Sequence, residues 1–295
     1  MVLRHVVVLL CCAVPLAAAS TDIDRAIALY NAKEYPAARA ALEKITAAEP
    51  DNAAACYYLG EVLLLRGDDR ALDDAIRWLD KAATLEPTNA DYLADFGGAS
   101  LQLAGRNNSF TAAIRGRDAM EASLRIDPEN LDARQGLMQF YQRAPWPLGS
   151  SAKADAQLEE IRRRDPDLAT ALSVNAKADA KDYAAAFQLC EAVLAKSPGN
   201  YTALYQFGRT ASLSGQNLDR GLACLKKCLA LQPPGPGSPQ PASVWSRIGV
   251  IEEKLGHVSE ARAAYEAAVR LDPGVTQAAT ALARLKPPAT AGAAH

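Results

Sequence analysis

The amino-acid sequence predicts an all-α protein, a superhelix of about seven helix-turn-helix repeats closed by one capping helix. The composition favours helices, because alanine dominates and Val, Ile and Thr are sparse. Apolar residues recur at i, i+3, i+4 and i+7 in two adjacent stretches per repeat, which is the pattern of a pair of amphipathic helices. A proline closes each predicted repeat, at Pro50, Pro87, Pro128, Pro166, Pro198, Pro233 and Pro273.

The first element along the chain is a predicted secretory signal peptide at residues 1–19. A short basic region precedes an apolar run over about residues 6–16, and small residues follow up to Ala19. The run is shorter than the roughly 20 residues that span a bilayer, so we expect cleavage after Ala19; the alternative is an uncleaved anchor. The protein is therefore expected to be exported, to the periplasm or the medium, with membrane contact only through this segment before cleavage.

The predicted repeats occupy residues 20–286, and each carries a small residue twelve positions before its proline. These small residues are Ala38, Ala75, Gly116, Ala154, Ala186, Gly221 and Ala261. Together with glycines in the first helix, as in Phe207-Gly208, they let the two helices of a repeat approach closely. A glycine between the helices, at Gly67, Gly215 and Gly256, suits a left-handed turn, and the proline stops the second helix.

The last repeat matches a known pattern best, with Trp245, Gly249, Ala261, Tyr265 and Pro273 at characteristic places. The pattern resembles the tetratricopeptide repeat, a unit of about 34 residues. The resemblance covers about residues 24–273, and residues 131–149 resemble a set of exported bacterial repeat proteins. It implies a right-handed α–α superhelix that binds a protein or peptide in a groove lined by the first helices.

Several repeats are longer than this pattern, since their closing prolines lie 32 to 41 residues apart. Two insertions, at residues 103–120 and 141–151, are expected to lengthen the connections between the first and second helices of the third and fourth repeats. Both connections should then lie on the same edge. Residues 275–286 are expected to form the capping helix, and residues 287–295 a disordered tail.

The resemblance also implies where a groove would bind, through exposed residues of the first helices. The implied groove residues are Tyr57, Glu61, Gln135, Gln139, Arg143, Tyr205 and Arg209. Family members that grip a C-terminal carboxylate carry Lys and Asn at two of these places; Asn175 fits, but Ala171 does not, so this clamp is not expected. The alternative for each groove residue is an ordinary solvated face.

A second candidate surface lies at the edge formed by the two insertions. It holds Phe110, Arg115, Arg117 and Trp146. Aromatic residues together with arginine are typical of the residues that dominate binding energy at interfaces. The alternative is that the aromatic rings fold back onto the helices while the arginines stay solvated.

Neither the cysteines nor any motif indicates catalysis. Cys190 lies one repeat before Cys224 and Cys228, so a disulfide from Cys190 to one of them is a hypothesis for an exported protein; the alternative is small buried apolar side chains. The spacing offers no second ligand pair for a metal, and no cofactor, nucleophile or phosphate-binding motif occurs. A formal net charge of −2 without a long basic run argues against nucleic acid as a partner.

These observations favour a non-catalytic, protein- or peptide-binding scaffold of the cell envelope. The alternative is an accessory subunit of an enzyme complex that assembles the envelope or processes cell-wall material. A third interpretation, an enzyme whose site the sequence does not reveal, would require a deep pocket with convergent ionisable groups.

Overall fold

The computed structural model describes residues 16–65, 69–235 and 237–285, and within these residues it contains fifteen α-helices and no β-strand. The all-α prediction is therefore confirmed. Most of the predicted signal peptide, the predicted tail and the Gly67 turn lie outside the described residues. The chain divides into two compact units, residues 1–160 and 161–295, with the boundary inside the eighth helix.

The N-terminal unit is a series of helical hairpins. Its helices are α1 (Leu16–Asn31), α2 (Tyr35–Ala48), α3 (Ala53–Leu64), α4 (Asp69–Leu85), α5 (Ala90–Asn107), α6 (Phe110–Ile126), α7 (Leu131–Arg143) and most of α8 (Ser151–Arg164). The odd-numbered helices are the first helices of the pairs, and consecutive helices from α1 to α7 pack against each other. First helices also contact one another, α1 with α3 and α5 with α7.

The C-terminal unit repeats this arrangement. Its helices are α9 (Pro166–Asp179), α10 (Tyr183–Lys196), α11 (Tyr201–Ser214), α12 (Leu218–Leu229), α13 (Pro241–Lys254), α14 (Val258–Leu271) and α15 (Thr276–Leu285). Again the first helices contact each other, α9 with α11 and α11 with α13. The short helix α15 lies against α14, where its Ala278 and Ala281 are buried with Tyr265. It occupies the stretch for which a capping helix is expected.

Asparagine side chains start many of the first helices. Asn52, Asn89, Asn130 and Asn200 precede α3, α5, α7 and α11, and each side-chain oxygen accepts a hydrogen bond from the backbone N–H three residues later. This cap satisfies one of the backbone donors that a helix leaves unpaired at its N-terminus. The closing proline and a cap two residues later thus separate one helical hairpin from the next.

Small residues allow close packing within several hairpins, as the repeat pattern requires. All seven small residues of the second helices are buried. A Cβ atom at Gly249 of α13 would lie 2.5 Å from Cε1 of Tyr265 on α14, which is closer than real contacts allow. The Tyr265 ring therefore occupies space that only a glycine leaves open.

Several turns inside the hairpins contain a residue in the expected left-handed conformation, but only in some of them is that residue a glycine. Gly215 has a φ of 76° and Gly256 a φ of 85°, which confirms the prediction for these two turns. In other turns Lys33, Asn108 and Lys181 take this conformation, with φ between 56° and 62°. A sequence search for glycine cannot find these turns.

One expectation about the connections is wrong. The insertion at residues 103–120 is not a loop, because α5 and α6 are 18 and 17 residues long and only two residues separate them. The extra residues lengthen both helices. Pro166 follows the end of α8 and is the first residue of α9, so it begins the next repeat, and its missing N–H costs no hydrogen bond there. The insertion at residues 141–151 does contain a loop, residues 144–150, between α7 and α8.

No helix in the described part of the chain combines the length and the hydropathy that crossing a membrane requires.

Candidate functional site

A cluster of tyrosines and carboxylates lies on the first helices α1, α3 and α5 of the N-terminal unit. The Tyr30 hydroxyl donates to Oε2 of Glu61 at 3.3 Å, and the Tyr57 hydroxyl donates to Oδ2 of Asp95 at 2.6 Å. The Tyr57 ring stacks on Tyr92, with 4.4 Å between ring centroids. We call these five residues the tyrosine–carboxylate cluster. It joins three successive first helices through side chains.

Burial makes the carboxylates of this cluster weaker acids. Burial, with the nearby charge of Asp95, raises the pKa of Glu61 to about 7 against the opposing hydrogen bond from Tyr30. Burial also raises the pKa of Asp95; the Tyr57 hydrogen bond opposes this, and the charges of Asp132 and Asp91 add to it. The cluster is thus a half-buried acidic region whose charge changes near neutral pH.

An apolar pocket of about 530 Å³ lies nearby in the same unit, between α5, the start of α6, α7 and the loop after α7. We call it the α5–α7 pocket. It is lined by Gly98, Leu101, Gln102, Ala104, Gly105, Asn108, Ser109, Phe110, Ala113, Met120, Gly136, Gln139, Phe140, Arg143, Ala144, Pro145 and Leu148. Its volume falls in the range of pockets that hold small ligands or the anchoring side chains of a partner.

Two glycines of the lining have different roles: Gly98 leaves the pocket open, and Gly136 makes room for Met120. Gly98 of α5 and Gly136 of α7 contribute no side chains, and Met120 of α6 lies against both positions. A Cβ atom at Gly136 would overlap Cε and Sδ of Met120, whereas one at Gly98 would have Met120 Cε 3.9 Å away as its nearest neighbour. Met120 is 3% exposed, so the space beside Gly98 stays open while the space beside Gly136 is filled.

The pocket carries a single charged side chain. Arg143, at the C-terminal end of α7, is exposed, and no Asp or Glu lines the pocket. Arg143 makes no ion pair or side-chain hydrogen bond with any residue in the described ranges. The pocket therefore offers an apolar interior with one positive charge, a character opposite to that of the tyrosine–carboxylate cluster.

The implied groove residues divide among these places. Tyr57 and Glu61 belong to the cluster, and Gln139 and Arg143 line the pocket. Gln135 is half-buried on α7, one turn before Gln139.

In the C-terminal unit the groove positions differ from expectation. Tyr205 is only 8% exposed, so the expectation that it faces an open groove is wrong; its ring packs into the apolar core of α9 to α13. Arg209 is half-buried and donates to Oδ1 of Asn175 at 2.7 Å, which joins α11 to α9. This part of the first-helix surface is occupied by contacts within the chain.

The structure places the four residues predicted for the insertion edge in different environments. Phe110 lines the pocket and is 57% exposed, and Trp146 in the α7–α8 loop is 90% exposed, so neither ring folds back onto the helices. Arg115 pairs with Asp80 at 2.8 Å, and Arg117 pairs with Asp118 at 2.6 Å.

Sequence reasoning missed Tyr30, Tyr92, Asp95, Met120 and Gly136. Their importance follows from contacts between helices that are remote in sequence, which spacing alone does not indicate. Gly136 could have been noticed as a helix-interior glycine without a packing role in the repeat pattern.

The cysteines are free thiols and buried, at Cys56, Cys190, Cys224 and Cys228. This agrees with the interpretation as small buried apolar side chains and gives the Cys190 disulfide no support. Burial raises the pKa of both Cys190 and Cys228 to about 12, so these thiols stay protonated and weakly nucleophilic. Within the described ranges no three or more His, Cys, Asp or Glu side chains are grouped so that they could hold a metal ion.

Known protein families and solved structures that are similar to this chain have the same helical-repeat architecture. Two sequence models of the tetratricopeptide repeat match, one over residues 23–90 and one over residues 242–275. No curated protein matches the sequence.

Two solved structures are similar in fold. A tetratricopeptide repeat protein from Parabacteroides merdae is 14% identical, with a TM-score of 0.56 over 91% of this chain and 99% of that one. Yeast Tom70 is 16% identical, with a TM-score of 0.63 over 86% of this chain and 51% of that one. This chain thus spans about half the length of Tom70. At these identities the likeness concerns the fold alone.

Proposed function

Because this chain is a tetratricopeptide repeat protein, we propose that it is a non-catalytic scaffold of the cell envelope whose N-terminal unit binds a segment of a protein partner. Stacked helical hairpins commonly present such preformed surfaces for interaction. Binding would need little rearrangement, since the helices that carry the surface pack against one another.

The observation that carries this proposal is the contrast between the two units. In the N-terminal unit, the first helices present an open pocket, half-buried Gln135 and Gln139, and exposed Arg143. In the C-terminal unit, Tyr205 is buried. We therefore assign the binding surface to α5 and α7.

A scaffold rather than an enzyme is supported by the chemistry of the pocket. The one charged side chain of its lining is Arg143, and a guanidinium donates hydrogen bonds but has no acceptor with which to act as a general base. The buried thiols of Cys190 and Cys228 are weak nucleophiles. Presentation of a shaped surface, without bond chemistry, is the mechanism that fits these residues.

The experiment is a selection of displayed random twelve-residue peptides on the purified full chain. We expect a family of related peptides to be enriched, and Gln135→Trp to reduce their enrichment at least tenfold by obstructing the first-helix surface. Gln216→Trp, in an exposed turn of the C-terminal unit, is the matched control and should change nothing. The absence of any enriched family, or enrichment that Gln135→Trp leaves intact, would contradict the proposal.

Export to the envelope is the second part of the proposal, supported by the signal-like residues 1–19. Cleavage after Ala19 would leave α1 starting at Ser20 instead of Leu16, a loss of four of its sixteen residues. Mass spectrometry of protein from fractionated native cells should find Ser20 as the first residue. An N-terminus at Met1 or Val2 in the cytosolic fraction would contradict export.

The alternative role, an accessory subunit of an envelope-assembly or cell-wall-processing complex, makes a different prediction. Crosslinking in native cells would then join the chain in fixed proportion to an enzyme. A non-enzymatic partner would favour the scaffold alone.

A further inference from the structure

We infer that the α5–α7 pocket binds a large apolar side chain of the partner segment and that Arg143 pairs with a carboxylate next to that side chain. This inference rests on the proposed function, because it specifies what the bound segment carries. The partner is thus a protein with an exposed aromatic or long aliphatic residue beside Asp or Glu.

The first argument is the shape and lining of the pocket. Leu101, Met120, Phe140 and Leu148 supply apolar surface, and Gly98 leaves room between the helices. A buried aromatic side chain removes on the order of 150 to 250 Å² from water, and apolar burial is the main source of binding free energy. A pocket of about 530 Å³ accommodates such a side chain together with part of its neighbours.

The second argument is charge complementarity. Arg143 is the one ion of the pocket lining, and no carboxylate lies there to neutralise it. An acidic residue beside the inserted side chain would therefore be attracted, while a basic residue would be repelled. The nearby arginines Arg115 and Arg117 already have carboxylate partners, so Arg143 is the group that would select the acidic neighbour.

The third argument is the exposed aromatic surface at the same place. Phe110 lines the pocket and is more than half exposed, and Trp146 lies between the lining residues Pro145 and Leu148 of the adjacent loop. Exposed Trp and Phe beside an open apolar pocket are unfavourable unless a partner covers them. Aromatic residues around a central anchor also exclude water from it, as in other protein interfaces.

The test compares the same peptide selection on variants of the full chain. Gly98→Leu places an apolar side chain in the pocket, and its Cβ fits, because the nearest atom to that position is Met120 Cε at 3.9 Å. Gly199→Leu, at a glycine with no atom within 4 Å of its Cβ position, adds the same side chain elsewhere. Arg143→Glu reverses the rim charge, with Lys44→Glu on α2 as the matched charge reversal.

The expected result has three parts. The wild type enriches peptides with Trp, Phe or Leu adjacent to Asp or Glu. Gly98→Leu lowers that enrichment at least tenfold, and Arg143→Glu shifts the neighbouring residue from acidic to basic. Gly199→Leu and Lys44→Glu select the same peptides as the wild type, and thermal melting checks that every variant is folded.

The outcomes separate this inference from the proposed function. If an enriched peptide family is lost in Gln135→Trp but persists in both Gly98→Leu and Arg143→Glu, the scaffold function stands and the pocket assignment is wrong. If no peptide family is enriched at all, the proposed function is contradicted, and the inference about the pocket is contradicted with it. If the wild type instead binds myristate and Gly98→Leu does not, without peptide enrichment, the pocket belongs to a lipid chain and the inference is overturned.

Discussion

The tyrosine–carboxylate cluster and the α5–α7 pocket are built on neighbouring first helices from one repeat pattern, yet they differ in what occupies the space beside the helix. At corresponding places of the repeats, α3 carries Tyr58 and α7 carries Gly136; likewise α3 carries Glu61 and α5 carries Gly98. Large side chains close the surface around α3, whereas Gly98 leaves space open between α5 and α7 and Gly136 lets Met120 pack against α7. Side-chain size at these places therefore decides which part of a repeat surface is available to a partner.

The two regions also differ in how their polar groups are used. In the cluster, the hydroxyls of Tyr30 and Tyr57 satisfy the carboxylates of Glu61 and Asp95 within the chain. At the pocket, Arg143 has no such partner in the described residues. An internal network stabilises the fold, while an unpaired exposed group is available for a ligand.

The largest expected effect comes from removing one aromatic ring in each region. Tyr57→Ala should lower the free energy of unfolding by about 3 kcal/mol, because it deletes packed ring surface and the hydrogen bond to Asp95. Phe110→Ala should lower it by less than about 1 kcal/mol, because that ring is largely exposed. Urea unfolding of both variants measures the difference, and equal losses would contradict the distinction between a closed and an open region.

The second effect is a pH dependence that belongs to the cluster alone. The pKa of Glu61 is raised to about 7 in the folded chain, so between its unfolded pKa and about 7 the folded state binds a proton that the unfolded state has lost. This contribution to stability is present at low pH and disappears as the pH rises through about 7. Between about pH 5 and pH 8 it should amount to on the order of 2 kcal/mol.

Glu61→Gln is the control for this pH dependence, since it removes the titrating group and keeps an acceptor for Tyr30. The free energy of unfolding of both proteins is measured at several pH values. As the pH rises, that of the wild type should fall relative to that of the variant. The raised pKa of Asp95 acts in the same direction in both proteins. A difference that does not vary with pH would mean that Glu61 is more solvated than the structure indicates.

The smallest effect concerns the two glycines of the pocket. Gly98→Ala should raise the free energy of unfolding by about 0.5 to 1 kcal/mol, because alanine favours the helix and a Cβ fits there. Gly136→Ala should give no gain, because the new Cβ displaces the end of Met120. A similar gain for both variants, read from urea midpoints, would show that Met120 does not pack against Gly136 as described.

The architecture could be predicted from the sequence because the same pattern of small residues and prolines occurs in every repeat. The spacing between Ala261 and Pro273 recurs in seven repeats, and the closing prolines and the Gly215 and Gly256 turns lie where the hairpins need them. The same pattern gives a wrong prediction at the third repeat, where it assigns the extra residues to the connection between the two helices. They extend α5 and α6, because that stretch has no helix-breaking proline.

The site was less predictable, for reasons of packing. Tyr205 occupies a groove position in the repeat pattern, but burial in the core of its unit depends on neighbours from other repeats. Arg115 and Arg117 look available in sequence, and only the structure shows their partners Asp80 and Asp118. Phe110, Gln139 and Arg143 were predicted for two separate surfaces, and the structure brings them together in one pocket.

The central claim, an open apolar pocket against Met120 that takes a large side chain beside a carboxylate, is tested most directly by methionine-methyl NMR. Met120 lines the pocket, and Met138, which is buried and does not line it, serves as an internal control. Titration with N-acetyl-Phe-Asp-amide should shift the Met120 methyl signal and leave Met138 unchanged, while N-acetyl-Ala-Asp-amide shifts neither. No shift of Met120 up to the solubility limit, or equal shifts of both methyl groups, would contradict the claim.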